Sequence, residues 1–462
     1  MTQTTDGPDA RPTTRVDDHR PTSPDGGSRD GRTVADARAP MLAELLGDPL
    51  PVRFDLWDGT ALGPDDAVGT LHLTSPDALR RIVWAPGELG FARAFVVGDL
   101  GVTGPVPETL RALQRSMPDD VRVGLGALPA TLVAARELGA IGARLPPPPE
   151  ELVSRGLRHS IGRDKRSVSH HYDVGNDFYR LVLGPAMTYS CARFVDESAT
   201  LHEAQDAKHE LICRKLGLSD PAVRAECPGE RPRLLDVGCG WGSMAIHAAR
   251  HHDADVVGVT ISDEQAALAR RRVAEAGLGD RVEIRVQDYR RVDDGPFDAI
   301  SSIGMAEHVG AKRMDGYFAV LRSLLRPRGR VMNHAIASFG GSRLSRSSFV
   351  GRYIFPDGEL LDLGDTVRSM HGAGLEVRDV ENLREHYALT LRAWVANLED
   401  RWDEAVELVG ERRARAWQLY MGGSVNGFED AGLQLFQTLG VRDDDTGASG
   451  FPRTRRSFAA PA

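Results

Sequence analysis

The sequence predicts an α/β protein built on a doubly wound, mostly parallel sheet, preceded by a smaller α/β or α+β unit. Three observations predict it. Apolar runs of strand type at 233–237, 254–260, 282–286, 297–303 and 329–336 alternate with helical stretches, the signature of βα units. A turn with glycine at every second position, Gly238, Gly240 and Gly242, follows the first run. Residues suited to ligands stand at the strands' carboxyl ends, where such sheets bind them. These are Gly238 after the first, Thr260, Asp288 and Glu307 after the next three, and His334 within the fifth.

At 462 residues the chain reads as two or three domains, and 41% apolar residues are enough for a core. A net charge of −9 argues against a general nucleic-acid binder, and no such partner is expected. Cys191, Cys213, Cys227 and Cys239 show neither a CxxC pair nor zinc spacing, so they read as reduced thiols and no metal is expected. No apolar leader is visible, and no uncharged run approaches the ~20 residues of a membrane span. The expectation is a cytoplasmic protein, at most peripheral at the inner membrane face.

In chain order, residues 1–40 are rich in Thr, Asp, Pro, Gly and Arg and read as a disordered tail. Residues 41–145 form the small unit. Stretches 52–56, 69–74, 79–83 and 91–97 read as short strands or strand–helix pairs, and 108–115 and 127–139 as helices. LPPPPE (145–150) is a stiff linker, and the region 146–170 continues with Arg155, Arg158, His159, Arg163, Lys165 and Arg166. That basic run is either a solvated helix face or a contact for anionic lipid headgroups. Residues 171–194 mix aromatic and polar side chains in the manner of a loop-and-helix lid, and a helix at 201–216 leads to the glycine turn. Helices are expected at 243–251, 263–276 and 317–325. After the fifth strand come an Arg- and Gly-rich insertion (338–374), a strand at 375–380 and helices at 389–398 and 402–420. The main domain spans 171–440, and 441–462 reads as a flexible tail.

Glycine lets the backbone approach a ligand, and the helix beginning at Ser243 offers unpaired N–H groups to it. A dinucleotide fingerprint would need a third glycine where Ser243 stands and an acid where Thr260 stands. The DxGxGxG run from Asp236 resembles instead the first motif of S-adenosylmethionine methyltransferases, with Asp236 bracing the loop.

The wider pattern resembles the cyclopropane-fatty-acyl-phospholipid synthases and their mycolic-acid-modifying relatives. The matching runs are HYDVGNDFY (171–179), YSC (189–191), LDVGCGWG (235–242), GVTIS (258–262) with Gln265, QDYR (287–290) and SIGMAEHVG (302–310). YIFP (353–356) and Tyr387 through Thr390 to Trp394 continue the series, which covers roughly 160–436 in the family's order. The smaller unit resembles the N-terminal domain of the long bacterial members.

The resemblance implies a seven-stranded methyltransferase sheet with a lid insertion. It also implies methyl transfer from S-adenosylmethionine to the cis double bond of an unsaturated phospholipid acyl chain. Tyr189, Ser190, Gly238, Gly240, Thr260, Gln265, Gln287 and Asp288 match the family's cofactor contacts, with Asp236 and Gly242 completing the turn. Attack by the alkene leaves a carbocation, which demands a dry apolar tunnel and a base. The resemblance makes that base a bound bicarbonate, held by Cys191 through its backbone and by Glu307, His334 and Tyr387. Cyclopropane formation is expected ahead of loss of another proton to a methylene-branched chain. Departures from the family pattern at Ser424, Asp357 and Ala388-Leu389 bear on that choice. A nicotinamide oxidoreductase and a non-catalytic lipid-binding protein are the competing readings, and a homodimer stays open.

Overall fold

The computed structural model describes residues 49–116, 141–152, 174–221, 229–343, 348–356 and 358–455. The N-terminal tail, the helical stretch at 127–139, the basic run 155–166, Cys227 and residues 171–173 lie outside the described residues.

The described residues of the small unit form a four-stranded sheet with three helices. Its elements are β1 (Arg53–Leu56), β2 (Ala61–Leu62), β3 (Thr70–Leu73), α1 (Asp77–Trp84), α2 (Glu88–Val97), β4 (Leu100–Thr103) and α3 (Val106–Ser116), with strand order β2-β1-β3-β4. Alternation places Phe54, Leu56, Leu71 and Leu73 on the buried face. The stretches at 79–83 and 91–97, read as short strands or strand–helix pairs, lie wholly within α1 and α2. In α2, residues Leu89 to Val96 are nearly all buried, apart from Phe91, and an all-buried helix shows no periodicity to separate it from a buried strand. Gly98, left-handed at φ 87°, ends it.

Next come α4 (Asn176–Leu183) and α5 (Leu201–Leu216), the latter opened by a Thr200/Glu203 capping box and closed by left-handed Gly217. The large sheet follows: β5 (Arg233–Val237), α6 (Ser243–His252), β6 (Asp255–Thr260), α7 (Asp263–Glu275), β7 (Val282–Val286), β8 (Phe297–Ile303), α8 (Ala306–Val309), α9 (Met314–Leu324) and β9 (Leu325–Ala337). A small hairpin pairs β10 (Ser342–Arg343) with β11 (Glu359–Leu360), flanking α10 (Phe349–Tyr353). Then come α11 (Leu363–Gly372), β12 (Glu376–Asn382), α12 (Arg384–Asp400), α13 (Trp402–Val409), α14 (Glu411–Glu429) and β13 (Gln434–Val441).

The seven strands run in the order β12-β13-β9-β8-β5-β6-β7, with β13 antiparallel to both neighbours and β5, β6, β7, β8 and β9 parallel. From β5 the chain winds outward through β6 and β7, then returns to add β8 on the other side. The carboxyl ends of β5 and β8 therefore border the crevice where the winding reverses, the place such sheets bind ligands.

Three expectations need correction. The helix at 402–420 is two helices, because Gly410 at φ 80° breaks it, and the second continues to Glu429. The fifth strand starts at Leu325 and passes through Pro327, with its register to β8 shifting between Phe297 and Ala299. The start of the presumed flexible tail is held down: β13 reaches Val441, Asp444 pairs with Arg328 at 2.6 Å, and Arg455 reaches Asp379 at 2.6 Å.

A single hydrophobic cluster runs from the small unit into helices α12 and α14, joining Phe95, Val106 and Leu110 to Trp394, Trp417 and Met421. At Gly422 a Cβ would stand 2.9 Å from Val106 Cγ1, so the missing side chain lets α3 lie against α14. Below the apolar contact, Arg93 of α2 grips Glu151 through two bonds of 2.7 Å, and Arg352 of α10 adds a third at 2.8 Å. Both Arg93 and Glu151 are buried. Removing one partner of such a pair strands the other charge. Glu151→Ala is therefore expected to lower the unfolding free energy by about 3 kcal/mol. Chemical denaturation checks this, and a change below about 1 kcal/mol would mean Arg93 finds water instead.

Candidate active site

The crevice is built from strand ends. After β5, Gly238, Gly240 and Gly242 take φ values of 74°, 53° and 81°. The N–H groups of Gly238 and Cys239 both donate to the Val259 carbonyl, which folds the turn back over β6. At φ 74° a side chain at Gly238 would be strained, and its Cβ would also displace the Met305 side chain, whose Sδ would stand at 2.5 Å. After β6, Thr260 Oγ1 donates to Gln265 Oε1 at 2.8 Å, while Ser262 caps α7. After β7, Asp288 is held by Arg290 at 2.7 Å, and charge-assisted bonding draws its pKa below the ordinary value despite burial.

These ends surround a cavity of about 170 Å³. Of the ten residues expected at the cofactor, Tyr189, Ser190, Asp236, Gly238, Gly240, Thr260, Gln265, Gln287 and Asp288 line it, and Gly242 does not. Gly242 is the N-cap of α6, and a Cβ there would press on Ala269 of α7 at 3.3 Å. Its glycine serves helix packing. Asp236 does not brace the loop directly either: its Oδ1 accepts from Ser301 Oγ at 2.7 Å across to β8. Its Oδ2 is buried with no hydrogen-bond partner among the described residues, and burial raises its pKa to about 6.

Sequence reading missed the polar face of α5. Gln205 Nε2 donates to the Ser190 carbonyl at 2.9 Å and Lys208 Nζ to Ser190 Oγ at 2.9 Å, so this helix holds the Tyr189–Cys191 segment against the cavity. Lys208 is fully buried, and desolvation draws its pKa down to about 7. The signal was present: Gln205, Lys208 and His209 share a helix face with Ile212, so polar side chains occupy positions of core spacing.

Cys191, Glu307, His334 and Tyr387 lie behind this cavity and do not line it. Cys191 is buried, its thiol donating weakly to the Leu383 carbonyl at 3.6 Å, and burial pushes its pKa up. Tyr387 stands one turn into α12, its ring 4.5 Å from Phe428. Glu307 Oε1 accepts from the Ile336 N–H at 2.8 Å, its Oε2 has no partner among the described residues, and burial raises its pKa to about 7. His334 sits two residues before Ile336 on β9, buried, with Nε2 likewise unpartnered among the described residues. Glu307 and His334 thus meet the same stretch of β9. Tyr387 reaches the cavity wall through aromatic neighbours: its ring lies 6.1 Å from that of Trp394, Trp394 lies 5.3 Å from Tyr189, and the Tyr189 hydroxyl lies 3.4 Å from that of Tyr420.

Where an apolar tunnel was expected, aromatic rings close on one another. Tyr189 lies 5.3 Å from Trp394 and 5.9 Å from Trp417, and Tyr420 lies 5.8 Å from Phe355. The cavity fits S-adenosylmethionine on the chemistry of its wall: a glycine turn free of Cβ atoms, an unpartnered buried carboxylate oxygen, and the rings of Tyr189, Trp241 and Tyr289, which favour a cation.

Comparison with known proteins agrees with this geometry. The chain matches the family described as mycolic acid cyclopropane synthetase over residues 159–438. It is 42% identical over 413 residues to a probable fatty acid methyltransferase of Mycobacterium tuberculosis, covering 87% of this chain and 93% of that one. It is 38% identical over 277 residues to the cyclopropane-fatty-acyl-phospholipid synthase of Escherichia coli, covering 60% and 68%. Among solved structures, mycolic acid cyclopropane synthase CmaA1 complexed with SAH and CTAB is 32% identical with a TM-score of 0.54, covering 60% of this chain and 98% of that one.

Gly238→Val combines a left-handed backbone with a clash against Met305. It is expected to weaken S-adenosylmethionine binding at least about tenfold in calorimetric titration while circular dichroism stays unchanged. Undiminished affinity would show that the turn does not approach the ligand.

Proposed function

We propose that this chain, which belongs to the mycolic acid cyclopropane synthetase family and is an S-adenosylmethionine-dependent methyltransferase, modifies the cis double bond of an unsaturated phospholipid acyl chain and closes it to a cyclopropane. The observation that carries the reading is the pairing of a cofactor cradle with buried polar atoms of Glu307 and His334 that have no partner among the described residues. Similarity to a fatty acid methyltransferase and to a phospholipid synthase supports a lipid acyl chain as acceptor.

S-adenosylmethionine supplies the transferred carbon. The acyl chain, once it has gained that carbon, carries a cation that must lose one proton and must not meet water. The rings of Tyr189, Trp394, Trp417 and Tyr420 exclude water and present faces that tolerate positive charge. Cys191 stays a thiol, so its contribution is its backbone and its bulk. Glu307, with a pKa of about 7, and the unpartnered Nε2 of His334 offer hydrogen-bonding groups to a small anion. With Tyr387 and the Cys191 backbone they would hold a bicarbonate that accepts the proton. Ring closure follows if the proton leaves from the carbon just added.

Loss of a different proton, giving a methylene-branched chain, is the second reading. The similarity across 87% of the chain to a fatty acid methyltransferase favours it. So do two local facts: Ser424 bonds Tyr420, and Ala388-Leu389 supplies no charge beside Tyr387. In either case the substrate is a bilayer lipid, and among the described residues no helix is long and apolar enough to cross a membrane. The protein would act as a cytoplasmic enzyme at the inner membrane face.

Labelled S-adenosylmethionine and vesicles of oleoyl phospholipid should yield labelled lipid. Hydrogenation of the released acids shifts the mass of a methylene-branched product and leaves a cyclopropane unchanged, and absence of label altogether would refute the lipid acceptor. Glu307→Gln is expected to reduce turnover about a hundredfold with S-adenosylmethionine affinity unchanged. The same variant carries a pH signature. Unfolded, Glu307 releases its proton near 4.5, and folded only near 7, so wild-type stability falls as pH rises between these values. Glu307→Gln should therefore gain on the wild type across that window, by up to about 3 kcal/mol above it, in denaturation curves taken at a series of pH values.

A further inference from the structure

Lys215 of α5 decides which nitrogen of His334 carries its proton. An ammonium has three N–H donors and no acceptor. Lys215, fully buried, directs them at Asp379 Oδ2 at 3.3 Å, at Glu381 Oε2, and at Gln437 Oε1 at 2.8 Å. An amide nitrogen cannot face an ammonium, so the oxygen of Gln437 is turned toward Lys215 and its Nε2 toward His334. That Nε2 lies 3.3 Å from His334 Nδ1. The amide nitrogen only donates, so Nδ1 must accept and bears no hydrogen. Burial, reinforced by the charges of Lys208 and Lys215, holds the His334 pKa well below the ordinary histidine value, so the ring is neutral. Its one proton is then on Nε2, the buried atom without a partner among the described residues.

We propose that Lys215 and Gln437 are positioning residues that lock His334 as the Nε2–H tautomer, making it a fixed hydrogen-bond donor to the anion held beside Glu307. This rests on the reading of His334 as part of the lipid-modifying site. In that state Nε2 has no lone pair for a proton, so His334 holds the proton acceptor and is not the acceptor. The arrangement is braced from outside. Gln437 faces His334 in the β13–β9 ladder, Asp379 and Glu381 stand on neighbouring β12, and Arg455 closes over Asp379 at 2.6 Å. The C-terminal strand and the segment after it thereby serve the site from the side opposite the cofactor.

The test uses the full-length protein with 15N-labelled histidine. Two-bond 1H–15N correlation reads the tautomer, and the His334 signals are identified by their loss in His334→Gln. The wild type should show Nε2 protonated and Nδ1 bare; the reverse pattern overturns the proposal without needing any variant to fold. Gln437→Glu replaces the donor by a carboxylate, which only accepts, and should invert the tautomer. Methyl transfer should then fall about a hundredfold in kcat with KM for S-adenosylmethionine unchanged, as expected when a site histidine is held in the wrong tautomer. Lys215→Met, which frees the amide to turn, should show both tautomers. A Gln437→Glu protein that keeps Nε2–H, or one that inverts with full activity, overturns the positioning role. Failure of the lipid reading looks different: the wild type shows the Nε2–H pattern but transfers no label to oleoyl phospholipid.

Discussion

The rest of the structure depends on keeping ionisable groups out of water at one end of a sheet. Asp236, Lys208 and His334 are buried, as is the Oε2 atom of the half-buried Glu307, and desolvation is the leading cause of the pKa shift at each. Such groups are costly to bury unless partnered, and each is only half satisfied. Asp236 has Ser301, Lys208 has Ser190, Glu307 has the Ile336 N–H, and His334 has Gln437. The remaining valences are what a ligand can use. A folded protein tolerates that shortfall where binding or chemistry recovers it.

Much of the remaining architecture supports this end of the sheet. The parallel strands deliver residues from different parts of the chain to one rim, with the reversal of winding at β5 and β8 opening the crevice. Helix α5 closes it from one face through Gln205 and Lys208, and α12 and α14 cover it with aromatic side chains. The small N-terminal unit packs through α2 and α3 onto those same helices, with Gly422 against Val106, and the Arg93–Glu151–Arg352 cluster ties α2 to α10. None of its described residues lines the cavity wall. Its core and the aromatic cover belong to one hydrophobic cluster.

The two halves of the site differ in chemistry because their surroundings differ. The cofactor side is open backbone and strand-end polar groups, which suits a polar, charged ligand. The lipid side is rings in mutual contact, with buried groups that titrate near neutrality or are held neutral. In the proposed reaction a cation formed there would see aromatic faces and a few fixed dipoles, and a small acceptor held by those dipoles would take the proton.

The alternation of strands and helices, the glycine turn and the residues at the strand ends were legible in the sequence because they are local. Strand length, a positive φ and a position just past an apolar run are properties of neighbouring residues. So nine of the ten cofactor positions lie on the cavity wall, and the tenth, Gly242, has a glycine for a packing reason that spacing cannot distinguish from a binding one. Other features required the fold. The all-buried α2 shows no periodicity, β13 mixes Gln, Thr and Gly into its run and pairs with strands far from it in sequence, and the polar face of α5 looks like any helix until β9 and the Tyr189–Cys191 segment lie against it. Above all, the proton on His334 depends on Lys215, Asp379, Glu381 and Gln437, which meet only when β12, β13, β9 and α5 are brought together. Chain order determined which chemistry is present; tertiary structure decided which atoms remain unsatisfied, since burial and partnership belong to no single stretch of sequence.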